Sequence, residues 1–155
     1  MVEPPPFWIA LTWIAGWVAA SLIYRKMRGK PLFYPRLTGT KFRQSNASGR
    51  SHRSWFTKLG GANGCLVVQV TDTELDIHPL PPFNWMFLPE ICGLEYRIPL
   101  TDVRSAVLRK RLFGRSVDVE LRTADGDDVT VSLNLAHPHD FLAALGPHAG
   151  NGRIA

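Results

Sequence analysis

An uncharged apolar run from Phe7 to Tyr24, followed at once by Arg25, Lys26, Arg28 and Lys30, constrains this chain more than any other feature of its sequence. Eighteen residues without a charge rise roughly 27 Å as an α-helix, close to the hydrocarbon thickness of a bilayer. A secretory leader would begin with a basic region, whereas Glu3 and Pro4-Pro5-Pro6 precede this run, so it reads as a retained single span. Trp8 and Tyr24 suit the two headgroup regions, and Trp13 and Trp17 share one helix face.

The formal charge of +5 hides a sharp asymmetry. Ten basic residues and no acidic one lie between Arg25 and Gly60, whereas from Gly61 onward twelve acidic residues face eight basic ones. Basic residues beside a span stay on the cytoplasmic side, which places the N-terminus outside and residues 25–155 in the cytoplasm, at the inner membrane of a cell. In a reducing compartment Cys65 and Cys92 are expected as structural thiols, since their spacing fits no zinc site. A basic run beside a span has the anionic leaflet as its nearest partner, so Arg25, Lys26, Arg28, Lys30, Arg36, Lys41 and Arg43 are candidate lipid contacts, and no nucleic acid is expected.

Four segments are expected: a tail and span over 1–24, a basic linker over 25–40, a β-rich domain over 41–146, and a disordered tail over 147–155. Phe42, with Trp55 and Phe56 beyond the polar stretch 46–54, suggests a first hairpin joined by a mobile loop. Period-2 alternation predicts strands at Cys65–Thr71, with Leu66, Val68 and Val70 on one face, and at residues 74–78, with Leu75 and Ile77 inward and His78 on a solvated face. Further strands are expected over 96–100, 103–112, 116–123 and about 129–133. Asp125-Gly126-Asp127 marks a turn, and Pro138, Asp140, Phe141, Leu142 and Leu145 mark a short amphipathic helix stopped by Gly146-Pro147.

This order resembles a pleckstrin-homology-like domain of the bacterial and GRAM-like branch. The resemblance covers about 41–145 and rests on Gly64-Cys65-Leu66-Val67-Val68-Gln69-Val70 leading to Glu74-Leu75-Asp76-Ile77, then Ile98-Pro99-Leu100 with Asp102-Val103, Phe113-Gly114-Arg115-Ser116, and the closing Phe141-Leu142-Ala143-Ala144-Leu145. It implies a mainly β fold, an antiparallel barrel of two packed sheets capped by the C-terminal helix, that binds lipids or proteins and does no chemistry. Gly49-Arg50-Ser51-His52-Arg53 departs from the basic signature of the phosphoinositide-binding members.

No catalytic set, cofactor or metal is expected from the remaining motifs. His137 and His139 flank Pro138 without a third ligand, and Asp125, Asp127 and Asp128 lack the spacing of a calcium loop. Gly60-Gly61-Ala62-Asn63-Gly64 lacks the lysine of a phosphate loop, and Arg109 is expected opposite Asp118 across a hairpin centred on Phe113-Gly114. The least ordinary stretch is 79–94, where Phe83, Trp85, Met86, Phe87 and Leu88 crowd between prolines and either cover the barrel or form a candidate contact for the membrane or a partner. The sequence thus predicts a membrane-anchored, non-enzymatic scaffold that recognises a lipid surface or a membrane protein, with an accessory subunit of a larger membrane complex as the alternative.

Overall fold

A computed structural model of the chain describes residues 7–31, 33–53, 61–85, 93–111 and 114–149. Helix α1 runs from Phe7 to Met27, three residues beyond the uncharged run, and carries its basic residues Arg25 and Lys26 in the last turn, where they complement the carbonyl end of the helix. It is long and apolar enough to cross a membrane, and only 6% of its most apolar stretch is covered by the rest of the chain. Trp13 and Trp17 stack with their centroids 5.6 Å apart.

The remainder is mainly β. Strands β1 (Phe42–Ser51), β2 (Ala62–Val70), β3 (Glu74–Pro79), β4 (Tyr96–Pro99), β5 (Val103–Arg111), β6 (Gly114–Arg122) and β7 (Asp128–Asn134) precede helix α2 (Pro138–Leu145). They form one antiparallel sheet in the order β4-β3-β2-β1-β7-β6-β5. Two meanders are therefore joined through β1, which pairs with β2 from Phe42 to Gly49 and with β7 from Ser48 to Ser51. The handover follows two breaks in the β1–β2 register around Ala47, beside Asn46 at φ 60°. An asparagine tolerates that left-handed backbone because its short polar side chain can bond locally.

Turn chemistry sets the hairpins. The Thr71 hydroxyl accepts from the Glu74 amide at 3.1 Å while the Thr71 amide donates to the Glu74 carbonyl at 3.0 Å, closing β2 onto β3. Gly126, at φ 86°, donates to the Thr123 carbonyl at 2.8 Å and closes β6 onto β7. The inward faces of all seven strands supply one core, including Leu66, Val68, Leu75, Ile77, Val119, Val131 and Leu133. Helix α2 adds Phe141 and Leu145, and Phe141 meets Phe42 edge-to-face at 5.4 Å. Gln44 on β1 accepts from the amides of Ala136 and His137 at 3.0 and 3.4 Å and so holds the entry to the helix.

Two expectations change, and others fall outside the described residues. The polar stretch after Phe42 is strand through Ser51 rather than loop, because its inward positions are small (Ala47, Gly49, Ser51) and all three are buried. Trp55 and Phe56 of the expected hairpin lie outside the described residues, as does the tail from 150 onward. Arg109 falls opposite Ser116, not Asp118, since the β5–β6 turn is centred one residue earlier. Its guanidinium still reaches Asp118 diagonally at 2.8 Å.

Candidate functional site

A strand with one face in the core should present the other to water, yet β3 is buried on both faces. Asp76 and His78 point away from the core and are 4% and 5% exposed, and their neighbours Val67 and Gln69 on β2 are buried as well. The cover is the chain that follows α1. That helix ends in a Schellman turn: Gly29 sits at φ 66°, its amide donates to the Lys26 carbonyl at 3.1 Å, and the Lys30 amide donates to the Arg25 carbonyl at 3.0 Å. Glycine takes this left-handed position without strain. The turn folds Lys30 back beside Arg25 and brings Pro31, Tyr34 and Leu37 over the sheet.

Tyr34 is the centre of that crossing. Its ring lies on His78 with centroids 4.3 Å apart and planes 13° apart. Its hydroxyl donates to Glu95 and accepts from Arg25 at 2.9 Å. Glu95, just before β4, is also reached by Arg25 at 3.3 Å and Lys30 at 2.9 Å. Arg25 further donates to the Pro31 carbonyl at 3.1 Å. On the other side of the stacked rings His78 Nδ1 meets Asp76 at 3.1 Å, and Gln69 donates to the same carboxylate oxygen at 3.1 Å. Burial raises the Tyr34 hydroxyl's pKa above its ordinary value, with further upward pushes from Glu95's hydrogen bond and charge. Burial also pushes the Glu95 carboxyl up, but the Tyr34 hydroxyl, Lys30 and Arg25 outweigh it and hold it below the usual carboxylate value. A cavity of about 290 Å³ remains under the crossing, lined by Tyr34, Leu37, Asp76, Glu95 and Arg97 among others.

The sequence-derived candidates divide along this seam. Arg25, taken as a lipid contact, has no exposed surface, because the Gly29 turn places it over Glu95. Lys30 is likewise engaged by Glu95, and Lys41 pairs with Asp72 at 2.6 Å on the surface. Lys26, Arg28, Arg36 and Arg43 are exposed, with the Arg28 guanidinium 5.3 Å from the Tyr24 ring centre. Residues 31–40, expected as linker, are thus partly a strap bound to the sheet. In the apolar loop Phe83 is exposed, whereas Trp85 is half-buried and meets Phe33 of the strap edge-to-face at 5.8 Å. Met86, Phe87 and Leu88 lie outside the described residues. Sequence reasoning missed Tyr34, Asp76 and Glu95, and it put His78 on a solvated face although the strap buries it. The available signal was Val67 beside Gln69 on the supposedly wet face of β2, which a solvated sheet would not favour.

A second polar array crosses β5, β6 and β7. Arg109 pairs with Asp118, Asp118 accepts from the Ser132 hydroxyl at 2.6 Å, and Ser132 meets His52 Nε2 at 3.0 Å. A groove of about 210 Å³ lies over it, between Ser48, Arg50, His52, Asn63 and Asn134. The order of groups is wrong for an activated nucleophile: the serine proton is committed to the carboxylate, and the imidazole is not oriented by it. Among the described residues no three metal-ligating side chains converge.

No protein-family model matches the chain, and no curated protein matches it. Among solved structures it is similar in fold to a chain of the 8S snRNP assembly intermediate, with a TM-score of 0.50 at 11% identity over 79% of this chain and 91% of that one. At that identity the likeness is one of fold alone.

Proposed function

We propose that this is a single-pass membrane protein whose helix holds a non-enzymatic, pleckstrin-homology-like domain against the cytoplasmic face of the inner membrane, where the domain recognises a lipid surface or a membrane protein. The observation that carries the reading is the Arg25–Tyr34–Glu95–Lys30 cluster, which ties the last turn of an apolar helix to the sheet. A flexible tether would leave the domain free to search; this one fixes its attitude to the span. The fold assignment draws support from the division of the sheet at β1 into four-stranded and three-stranded parts around one core, with α2 packed on that core. A sheet bent at that division would form the two-layered barrel expected of such domains. A non-enzymatic role is favoured by the order of groups in the His52–Ser132–Asp118 array.

The test is a topology and partner experiment on the whole chain. A reporter fused after Ala155 should behave as cytoplasmic and one placed before Pro4 as external. Purified in mild detergent, the protein should be free of stoichiometric partners and should bind vesicles or one membrane protein through its domain. Co-purification with several chains in fixed ratio would instead favour an accessory subunit, and an external C-terminus would overturn the orientation.

A further inference from the structure

The seam that locks helix to sheet also leaves apolar side chains uncovered beside it. Met27, the last residue of α1, is 82% exposed, Phe33 on the strap 68%, and Phe83 in the turn after β3 39%. Phe33 and the turn are one neighbourhood, since Phe33 rests on Trp85, and α1 packs against the 3-10 turn Phe83–Trp85. Depth along the helix can be read from Ser21. It lies one turn before Arg25 on the same face, about 6 Å further into the apolar run, and it is completely buried although the residues around it on α1 are largely open. The domain therefore covers α1 to a level above the basic residues, where the run is still uncharged.

We infer that Phe33, Phe83 and Trp85 form an interfacial foot that enters the headgroup region of the leaflet beside the span. The inference rests on the reading of α1 as a membrane span. Lipid is the occupant because the turn Phe83–Trp85 packs on a helix whose surface lipid must already cover, and because the end of that helix carries Lys26 and Arg28 as exposed charge that suits anionic headgroups. Aromatic rings with a basic rim are the side chains that such an interface favours. A foot of this kind leaves the groove over Ser132 and His52, on β1 and β7 rather than under the strap, open to the cytoplasm.

The experiment is site-directed labelling of the full chain reconstituted in phosphatidylcholine–phosphatidylglycerol vesicles, with Cys65→Ala and Cys92→Ser as background. Nitroxide probes at Phe33→Cys, Phe83→Cys and Asp125→Cys report collision with a water-soluble relaxant and with oxygen. Thermal unfolding confirms that each variant is folded, and the exposed strap position Phe33→Cys suffices by itself if Phe83→Cys does not fold. We expect the probes at 33 and 83 to lose access to the aqueous relaxant and gain access to oxygen, while the probe at 125 stays wet. Probes at 33 and 83 as wet as that at 125, in protein that resists carbonate extraction, would overturn the foot and leave the span intact. Protein released by carbonate would overturn the span reading and the foot with it.

Discussion

Glu95 receives donors from three residues that are distant in sequence, and each is differently placed to lose it. Arg25 has no solvent to fall back on, Tyr34 is half-buried, and Lys30 is about one-third exposed. Breaking a buried pair by removing one partner leaves an uncompensated charge, so Glu95→Ala should destabilise the helix–domain unit by about 3 kcal/mol, the low end for such pairs because Glu95 itself keeps 17% of its side-chain surface. Chemical denaturation in detergent, followed by tryptophan emission, measures it. The carboxyl is held below its ordinary value of 4.5 in the folded state. Its contribution is therefore complete above that value and disappears as pH falls through the lowered folded value. The stability gap between wild type and Glu95→Gln should be constant from about pH 7 to 5 and narrow below about pH 4.5; a gap that widened with acid would contradict the charge assignment. Tyr34 separates two contributions in the same way. Tyr34→Phe keeps the stack on His78 and removes a hydrogen bond to a charged group, a loss of about 1.5 kcal/mol. Tyr34→Ala removes the stack as well and should lose clearly more.

Among the elements, β1 is the one that must serve two partners, and Gly49 is where it changes hands, pairing with Ala62 on one side and Leu133 on the other. A Cβ there would stand 2.7 Å from Leu66 Cδ1 and 3.1 Å from Leu133 Cδ2. Both leucines are fully buried, so they have little room to yield, and Gly49→Ala should cost about 1–3 kcal/mol as an overpacked core does. Thermal unfolding measures it, and a neutral result would show that the core gives way there. The same residue explains why β1 was hard to read: after Phe42 its buried positions are Ala47, Gly49 and Ser51, whose smallness is demanded by close approach, and no apolar alternation reports that demand. Strands β2 to β7 and α2 were legible because Leu66, Val68, Val70, Leu75, Ile77, Val129 and Val131 alternate at period two and Gly126, Pro138 and Gly146 punctuate them. The strap was not legible, since its anchors pair Tyr34 with His78 and Glu95 across 44 and 61 positions of sequence. Nothing in the local pattern of residues 31–40 encodes a partner that the sheet must first assemble.

At the scale of the whole molecule, the basic cluster at the end of α1 divides into two pairs that its sequence presents as one. Arg25 and Lys30 are bound to Glu95 and fix the domain, whereas Lys26 and Arg28 are exposed and face the surroundings of the helix end. The division follows from helix geometry: Arg25 faces the domain, Lys26 is turned about 100° away from it, and the Gly29 turn brings Lys30 back to Arg25's side. Two double variants should therefore behave differently. In Lys26→Gln with Arg28→Gln the domain should keep its stability in detergent. Its preference for anionic over neutral vesicles should fall by about 1 kcal/mol per charge removed, an effect that salt screens. In Arg25→Gln with Lys30→Gln the stability in detergent should fall and the strap should become sensitive to protease near Phe33, while the salt dependence of vesicle preference changes little. Under the proposed membrane reading the first pair should also contribute most to orientation, because its charges would stay available to the leaflet as the helix inserts. Reporters after Ala155 should show mixed topology for the first pair before they do for the second. Loss of stability from the Lys26 and Arg28 pair, or loss of anionic preference from the Arg25 and Lys30 pair alone, would show that the charges are not divided in this way.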